Sequence, residues 1–195
     1  MASTRSSTYD SDRELSPGPE QLRVRVSSSH LALASSYFGR LLANSNKVLL
    51  PDLWEESRGN ITQPLLFILR AIHGQNRKVP RVLNFEMMYR VAFLADYFDC
   101  SEAVEIIADI WIRNAKDLLP ESYTVDVPRW LCIAWVFRHR DLFTEITCLA
   151  IRETKAPMVR DYGSPVPEEV FGASHFNIFI YFQQVMCINS EGEVN

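Results

Sequence analysis

Hydrophobic and polar residues alternate in the segment "LRVRV" and then change abruptly to a helical spacing. Leu22, Val24 and Val26 fall on one side of an extended chain and the two arginines between them on the other, which predicts a half-buried strand over 22–26. Three serines follow, and their hydroxyls are suited to cap the first free N–H groups of a helix. The residues that then share one helical face are Leu31, Ala34, Phe38, Leu41 and Leu42.

The rest of the chain is dominated by helical periodicity. A second short strand is predicted in "KVLLPDL", residues 47–53, where Pro51 would stop it. Helices are predicted over 61–74, with Pro64 in the first turn and Gly74 at the end, and over 84–98, 99–116, 129–140 and 141–154. Asp99 and Glu102 have the spacing of a capping box. The pattern therefore indicates a mostly helical α+β protein with a small sheet near its N-terminal end.

The two ends of the chain differ from this pattern. Residues 1–20 are rich in serine, proline and charged side chains, without apolar periodicity, and predict a disordered tail. The segment 163–170, "GSPVPEEV", predicts a proline-rich turn, and the apolar segment 176–188 fits neither period clearly.

Composition and charge exclude several classes of protein. The chain has 195 residues, and 20 Lys and Arg against 24 Asp and Glu give a formal charge of −4. This argues against a dedicated nucleic-acid binder, which needs a basic footprint. No run reaches the ~20 apolar residues of a membrane span, and no signal peptide opens the chain. The four cysteines form no CxxC pair, which favours a reducing compartment. We expect a soluble, intracellular protein, with nucleus and cytoplasm left open.

The reactive side chains form no recognisable catalytic, cofactor or metal constellation, and we assign none. Cys100 lies beside carboxylates that would raise the pKa of its thiol, so a buried structural cysteine is favoured over a nucleophile. Cys132 and Cys148 lie in apolar helical runs and are predicted core residues. The four histidines lack metal-binding spacing, and the carboxylates in "DYFDCSE" have a capping explanation.

Two further patterns leave an alternative open. "GQNRKVPR" lacks the glycine spacing of a phosphate loop, so Arg77, Lys78 and Arg81 are predicted to form a solvated connector, and a basic patch for an acidic partner is the alternative. The apolar residues of 84–98 are predicted core, and any exposed ones would form a binding surface; they include Met87, Met88, Phe93 and Leu94.

Three segments resemble BTB/POZ domains of the fungal type. "VSSSHLALASSYF" is similar to the strand-to-helix entry of that family, with Ser36 in place of the usual proline. "VPRVLNFEMMYRVAFLADYFDCSEAVEIIADIW" resembles the paired helices around the family's A-D-x-Y-x-C element, with one extra residue before Cys100. "RWLCIAWVFRHRDLFTEITCLAI", followed by "SPVPEEV", looks like the extension behind the domain. The residues that carry the resemblance as an interaction or structural motif are Val26, Ser27, Ser28, Leu31, Ala34, Ser35, Phe38, Ala95, Asp96, Tyr97 and Cys100.

The resemblance implies a fold, an organisation and a function. The implied fold is a BTB/POZ-like helical cluster with a short flanking sheet and a C-terminal helical extension. The implied organisation is a tail at 1–20, the domain at 21–116, the extension at 117–172 and a divergent segment at 173–195. The implied function is non-catalytic protein–protein association as a dimerisation or adaptor domain.

The partners implied are the same chain or another BTB-type protein, a cullin-type ubiquitin ligase scaffold, or a transcriptional regulator. No nucleic acid, membrane or cofactor is expected. Two alternatives stay open, which are an enzyme with an unrecognised site near Cys100 and a truncated family copy with little binding activity. Residues 1–20 lack the strand that family members place before "LRVRV", so an open sheet edge that accepts a strand is also expected.

Overall fold

The computed structural model describes residues 24–44, 61–153 and 164–172, and this part of the chain folds into helices joined by short turns. The α-helices are α1 (Ser28–Ala34), α2 (Ser36–Asn44), α3 (Thr62–Ile72), α4 (Phe85–Tyr97), α5 (Ser101–Asn114), α6 (Val127–Val136), α7 (Arg140–Glu153) and α8 (Glu168–Gly172). Two 3₁₀ turns, Asn76–Lys78 and Lys116–Leu118, follow α3 and α5.

The predicted flanking sheet is wrong for the part of the chain that the structure describes. No residue there is in a strand, and residues 24–27 are irregular, with Val24 40% and Val26 38% exposed. Alternation produces a strand only where a neighbouring strand satisfies its backbone groups, and none of the described segments offers one. The fold is therefore all-α in the described ranges, and the expected open edge at "LRVRV" is not formed by residues 24–26. The predicted strand at 47–53 lies outside the described residues.

The helix predicted behind the serines is two helices. Ser27 caps α1 as expected, its hydroxyl accepting a weak hydrogen bond from the His30 N–H at 3.5 Å. Ser35 then takes an extended conformation (φ −156°, ψ 123°), so α1 ends at Ala34 and α2 begins at Ser36. The prediction that Leu31 and Phe38 face the core is nevertheless confirmed, because both side chains are buried.

The remaining predicted helices are present with small shifts of their ends. Pro64 lies in the first turn of α3, and Gly74 follows that helix with a φ of 67°, a left-handed conformation that glycine adopts without strain. The Asn84 side chain caps α4 by accepting from the Met87 N–H at 2.8 Å. The segment 163–170 is described from Ser164 on and contains the start of α8.

Helix α4 is the centre of the molecule and packs against α3, α5 and α6. Of its predicted core residues, Met88 and Leu94 are fully buried, while Met87 and Phe93 are half-buried at its edge. The indole of Trp111 on α5 is fully buried, and its N–H is satisfied by the Pro80 carbonyl at 2.7 Å. Because α6 packs on α4, the predicted extension and the predicted domain share one core.

Two helix pairs, α4–α5 and α6–α7, are joined by the same kind of turn. Asp99 (φ 48°) and Arg138 (φ 49°) each hold the left-handed position after a helix, where glycine is usual. In both turns the next N–H reaches back to a carbonyl of the last helical turn, Cys100 to Ala95 at 2.8 Å and His139 to Ala134 at 2.9 Å. The predicted capping box is therefore wrong. Asp99 closes α4, and the N-cap of α5 is Cys100, which makes no side-chain cap.

Candidate interaction surface

The two segments with the strongest family resemblance, 26–38 and 95–100, meet at a buried contact. The Ser35 hydroxyl is buried and donates to the Phe98 carbonyl at 2.5 Å, a contact between residues 63 positions apart. The same oxygen accepts from the Phe38 N–H at 3.0 Å and so begins α2. The Phe38 ring stacks on the Phe98 ring with centroids 4.9 Å apart. The extended backbone at Ser35 is thus what lets α2 turn onto the end of α4.

A polar layer covers this contact on the outside. The exposed Ser36 hydroxyl donates to a carboxylate oxygen of Asp99, and the Arg40 guanidinium donates to the Ser36 oxygen at 3.0 Å. Ser36 and Arg40 are one helical turn apart, so both side chains lie on the same face of α2. Their contact with Asp99 ties α2 to the turn between α4 and α5.

A pair of half-buried tyrosines lies beside the polar layer. The Tyr37 ring is 5.6 Å from the Tyr97 ring and 5.5 Å from the Phe98 ring, centroid to centroid. Burial, and then the hydrogen bond with Tyr37, raise the pKa of Tyr97 to about 12. The Tyr97 phenol is therefore a neutral hydrogen-bonding group at neutral pH. We call the exposed and half-exposed residues at this junction the seam surface; they are Ser36, Tyr37, Arg40, Asp96, Tyr97 and Asp99.

Asp96 gives the seam surface an unusual carboxylate. Partial desolvation raises its pKa, and the negative charge of Asp99 adds to the effect. The Asp96 side chain is nevertheless exposed, so its carboxylate can be reached from outside the chain. Within the described residues, no group of three His, Cys, Asp or Glu side chains is arranged to hold a metal ion.

Cys100 lies under the seam surface and is 1% exposed. Burial raises the pKa of its thiol to about 12, with smaller contributions from Asp99 and Asp96, so the thiol is neutral at pH 7. The predicted burial of Cys100 and Cys132 is confirmed. The prediction for Cys148 is wrong, because it is exposed on the outer face of α7 that also carries Glu145 and Arg152. Cys187 lies outside the described residues.

The residues of the predicted motif differ in their exposure to solvent. Those inside the junction are Leu31, Ser35, Phe38, Ala95 and Cys100. Ser27, Ala34 and Tyr97 are half-buried, and Val26, Ser28 and Asp96 are exposed. The structure brings Ser35 and Phe38 together with 95–100, whereas Val26 and Ser28 contribute no contact to the seam surface among the described interactions.

The roles of Tyr37, Arg40 and Asp99 were not predicted from the sequence. The Tyr-Phe dipeptides at 37–38 and 97–98 each stand beside a serine or an aspartate, but a third occurs at 181–182, so the dipeptide alone does not mark the site. The role of His73 was not predicted either. Its Nε2 accepts from the Ser27 N–H at 2.8 Å while its Nδ1–H donates to the Leu69 carbonyl at 2.7 Å. His73 thereby anchors the start of α1 to α3.

A shallow groove of about 350 Å³ lies between α5 and the α6–α7 turn. His139 lies in it with its Nε2 3.7 Å from Asp109. Its Nδ1 accepts from the Leu142 N–H at 3.1 Å and caps α7. Both ring nitrogens of His139 thus lie against structural neighbours, and the groove is also lined by the carboxylates of Glu105, Asp109 and Asp141.

Comparison with known proteins gives no relative. No protein-family model matches the chain, and neither a curated protein nor a solved structure gives a significant match. Among the described residues, no helix has both the length and the apolar content needed to cross a membrane.

Proposed function

We propose that this chain is a non-catalytic protein–protein interaction module and that the seam surface is its binding site. The observation that carries this proposal is the pair of half-buried tyrosines, Tyr37 and Tyr97, framed by Arg40, Asp96 and Asp99. Tyrosine and arginine are enriched among the residues that dominate binding energy at protein interfaces. The resemblance to BTB/POZ domains points to the same class of function and stays a prediction.

The anchoring of the seam surface supports this role. Ser35 and Phe38 fix the backbone of α2 against Phe98, so the exposed side chains have little freedom to lose when a partner binds. The charged residues around the two tyrosines, which we call the rim, have both signs: Arg40 is positive, and Asp96 and Asp99 are negative. A complementary partner presents an apolar or aromatic centre and a donor for Asp96. A second copy of the chain, another BTB-type protein, a cullin-type scaffold or a transcriptional regulator would each provide a protein surface of this kind.

Two alternatives have less support. An enzyme built around Cys100 requires an accessible thiolate, and this thiol is buried with a raised pKa. A truncated copy that folds poorly requires a defective core, whereas the described helices share one continuous core that includes Leu31 and Phe38.

The test compares the proteins that parent and variant chains retain from an extract of cells that express the chain. The surface variant is Arg40→Glu with Asp96→Lys, which keeps the net charge and exchanges the charges of the rim. Reversing both charges places like charges opposite each other across the interface, which costs several kcal/mol, so we expect at least a ten-fold loss of the retained partner.

The matched control is Lys116→Glu with Asp117→Lys, an exchange between two exposed residues of the second 3₁₀ turn. This control should retain the same partner as the parent chain, and circular dichroism should show equal helix content in all three chains. Equal retention by the surface variant and the parent would contradict the proposal, as would a parent chain that retains no partner.

A further inference from the structure

The connector between α3 and α4, residues 75–81, is held rigidly by its carbonyl groups. The Arg70 guanidinium donates to the Lys78 carbonyl at 3.1 Å, the Trp111 indole to the Pro80 carbonyl at 2.7 Å and the Asn114 amide to the Arg81 carbonyl at 2.9 Å. Three side-chain donors, from α3 and α5, thus bond to three backbone carbonyl groups of this segment. We call residues 75–81 the basic connector.

Three side chains of the basic connector are exposed cations that form no ion pair within the described ranges. Arg77, Lys78 and Arg81 are exposed and make no ion pair with any residue that the structure describes. Residues 61–85 contain no Asp or Glu. The next carboxylate, Glu86, is already engaged by Arg90 at 2.9 Å and by Arg129 at 3.3 Å. Positive charge therefore accumulates here on a chain whose net charge is −4.

Backbone N–H groups add further hydrogen-bond donors to the basic connector. The N–H groups of Arg81 and Val82 donate to no group in the described ranges, while the carbonyl of Arg81 is occupied. The four residue steps from Arg77 to Arg81 span at most about 14 Å, and Arg70 is tied to Lys78, so four cations lie close together. The neighbouring Val82 is 66% exposed. The patch thus combines cations, free N–H groups and one apolar side chain.

We propose that the basic connector binds an acidic segment of a partner protein, with carboxylates on the cations and an apolar side chain on Val82. Recognition of acidic motifs by clustered basic residues is a recurring mode of peptide binding. A nucleic acid fits less well, because four cations replace few counterions and Val82 provides no aromatic face for a base.

This site is separate from the seam surface. Asn114, which holds Arg81, is the last residue of α5, whereas Cys100 and the seam lie at the first turn of that helix. A helix of 14 residues is about 20 Å long, so the two surfaces lie at opposite ends of α5. The inference therefore does not rest on the proposed function of the seam surface.

The experiment measures fluorescence anisotropy of a labelled peptide of about twelve residues, composed of Glu, Asp and Leu, titrated with the full chain. We expect binding that weakens as salt rises from about 50 to about 200 mM. Lys78→Glu with Arg81→Glu should weaken binding at least ten-fold and leave the helix content unchanged, because the backbone carbonyls, and not these side chains, hold the connector.

The control variant is Arg138→Glu with Arg140→Glu, which makes the same charge change at two exposed arginines of the α6–α7 turn. It should bind the acidic peptide within about two-fold of the parent. A matched peptide with Lys in place of Glu and Asp should not bind. The inference is overturned if the acidic peptide does not bind the parent, if both double variants bind it equally, or if a thymidine oligonucleotide of the same length binds the parent more tightly through Lys78 and Arg81.

Discussion

At the scale of single residues, Cys100 is a titratable group whose pKa burial moves far from its value in water. Its pKa is raised to about 12, against 9.0 for the free group, by burial first and then by Asp99 and Asp96. Between these values the folded chain holds a proton that the unfolded chain releases. The contribution of this thiol to stability is therefore fully present below pH 9 and is lost as pH rises from 9 towards 12.

This linkage predicts how the free energy of unfolding depends on alkaline pH. In urea titrations at pH 8 and pH 10, the parent chain should lose more stability than Cys100→Ala does, because the variant has no thiolate to release into solvent on unfolding. Cys148→Ala removes an exposed thiol and is expected to keep the slope of the parent. A parent and a Cys100→Ala variant with the same loss between the two pH values would show that Cys100 is accessible to water in the native state.

The burial of single cysteines was predicted on two different grounds. Cys132 lies in an apolar helical run, whereas Cys100 lies at a helix end beside carboxylates that disfavour a reactive thiolate, and both are buried. Cys148 has apolar neighbours in sequence as well, yet it shares its helix face with Glu145 and Arg152. A run that is apolar on both sides of a helix does not reveal which face a small residue such as cysteine occupies.

At the scale of elements, the two left-handed turns differ in what the side chain does. Arg138 is exposed and has no described role for its side chain, so its positive φ is a conformational cost without compensation. Arg138→Gly should raise the free energy of unfolding by about 0.5–1 kcal/mol, because glycine adopts this conformation without a steric penalty. Chemical denaturation of the two chains measures the difference.

The matched comparison is Asp99→Gly, which relieves the same strain but removes the acceptor of the Ser36 hydroxyl. The free energy of unfolding of Asp99→Gly should rise by less than that of Arg138→Gly, or should fall. If Arg138→Gly is destabilising, the left-handed turn between α6 and α7 is not the conformation of the native chain.

The extents of the helices followed from the sequence more closely than their ends and their junctions. Pro64 and Gly74 mark helix ends through local backbone chemistry, and the structure has them in those roles, whereas the cap that Asn84 provides was not predicted. The break at Ser35 was not predicted, because the apolar spacing continues through it and the cause is a hydrogen bond to Phe98, 63 positions away. The strand at 22–26 was predicted from alternation alone, which carries no information about whether a partner strand exists.

At the scale of the whole molecule, two segments that are distant in sequence form one unit at the seam. The α2 segment brings Ser35 and Phe38, the end of α4 brings Phe98, and the exposed side chains of both make the seam surface. Local periodicity describes each segment but not their meeting, so the seam surface could not be derived from the sequence. The Tyr-Phe dipeptides at 37–38 and 97–98 do not reveal it, because a third occurs at 181–182.

A double-mutant cycle between Phe38→Leu and Phe98→Leu tests whether these two segments pack together. Because the two rings stack at 4.9 Å, the losses in the free energy of unfolding should deviate from additivity by about 1 kcal/mol. The control cycle pairs Phe38→Leu with Phe85→Leu, which lies at the other end of α4 about 20 Å from Phe98 and should be additive. A coupling of about 1 kcal/mol in the first cycle alone is the result predicted here. Additive losses in both cycles would mean that 26–38 and 95–100 do not pack together, and the seam surface would lose its structural basis.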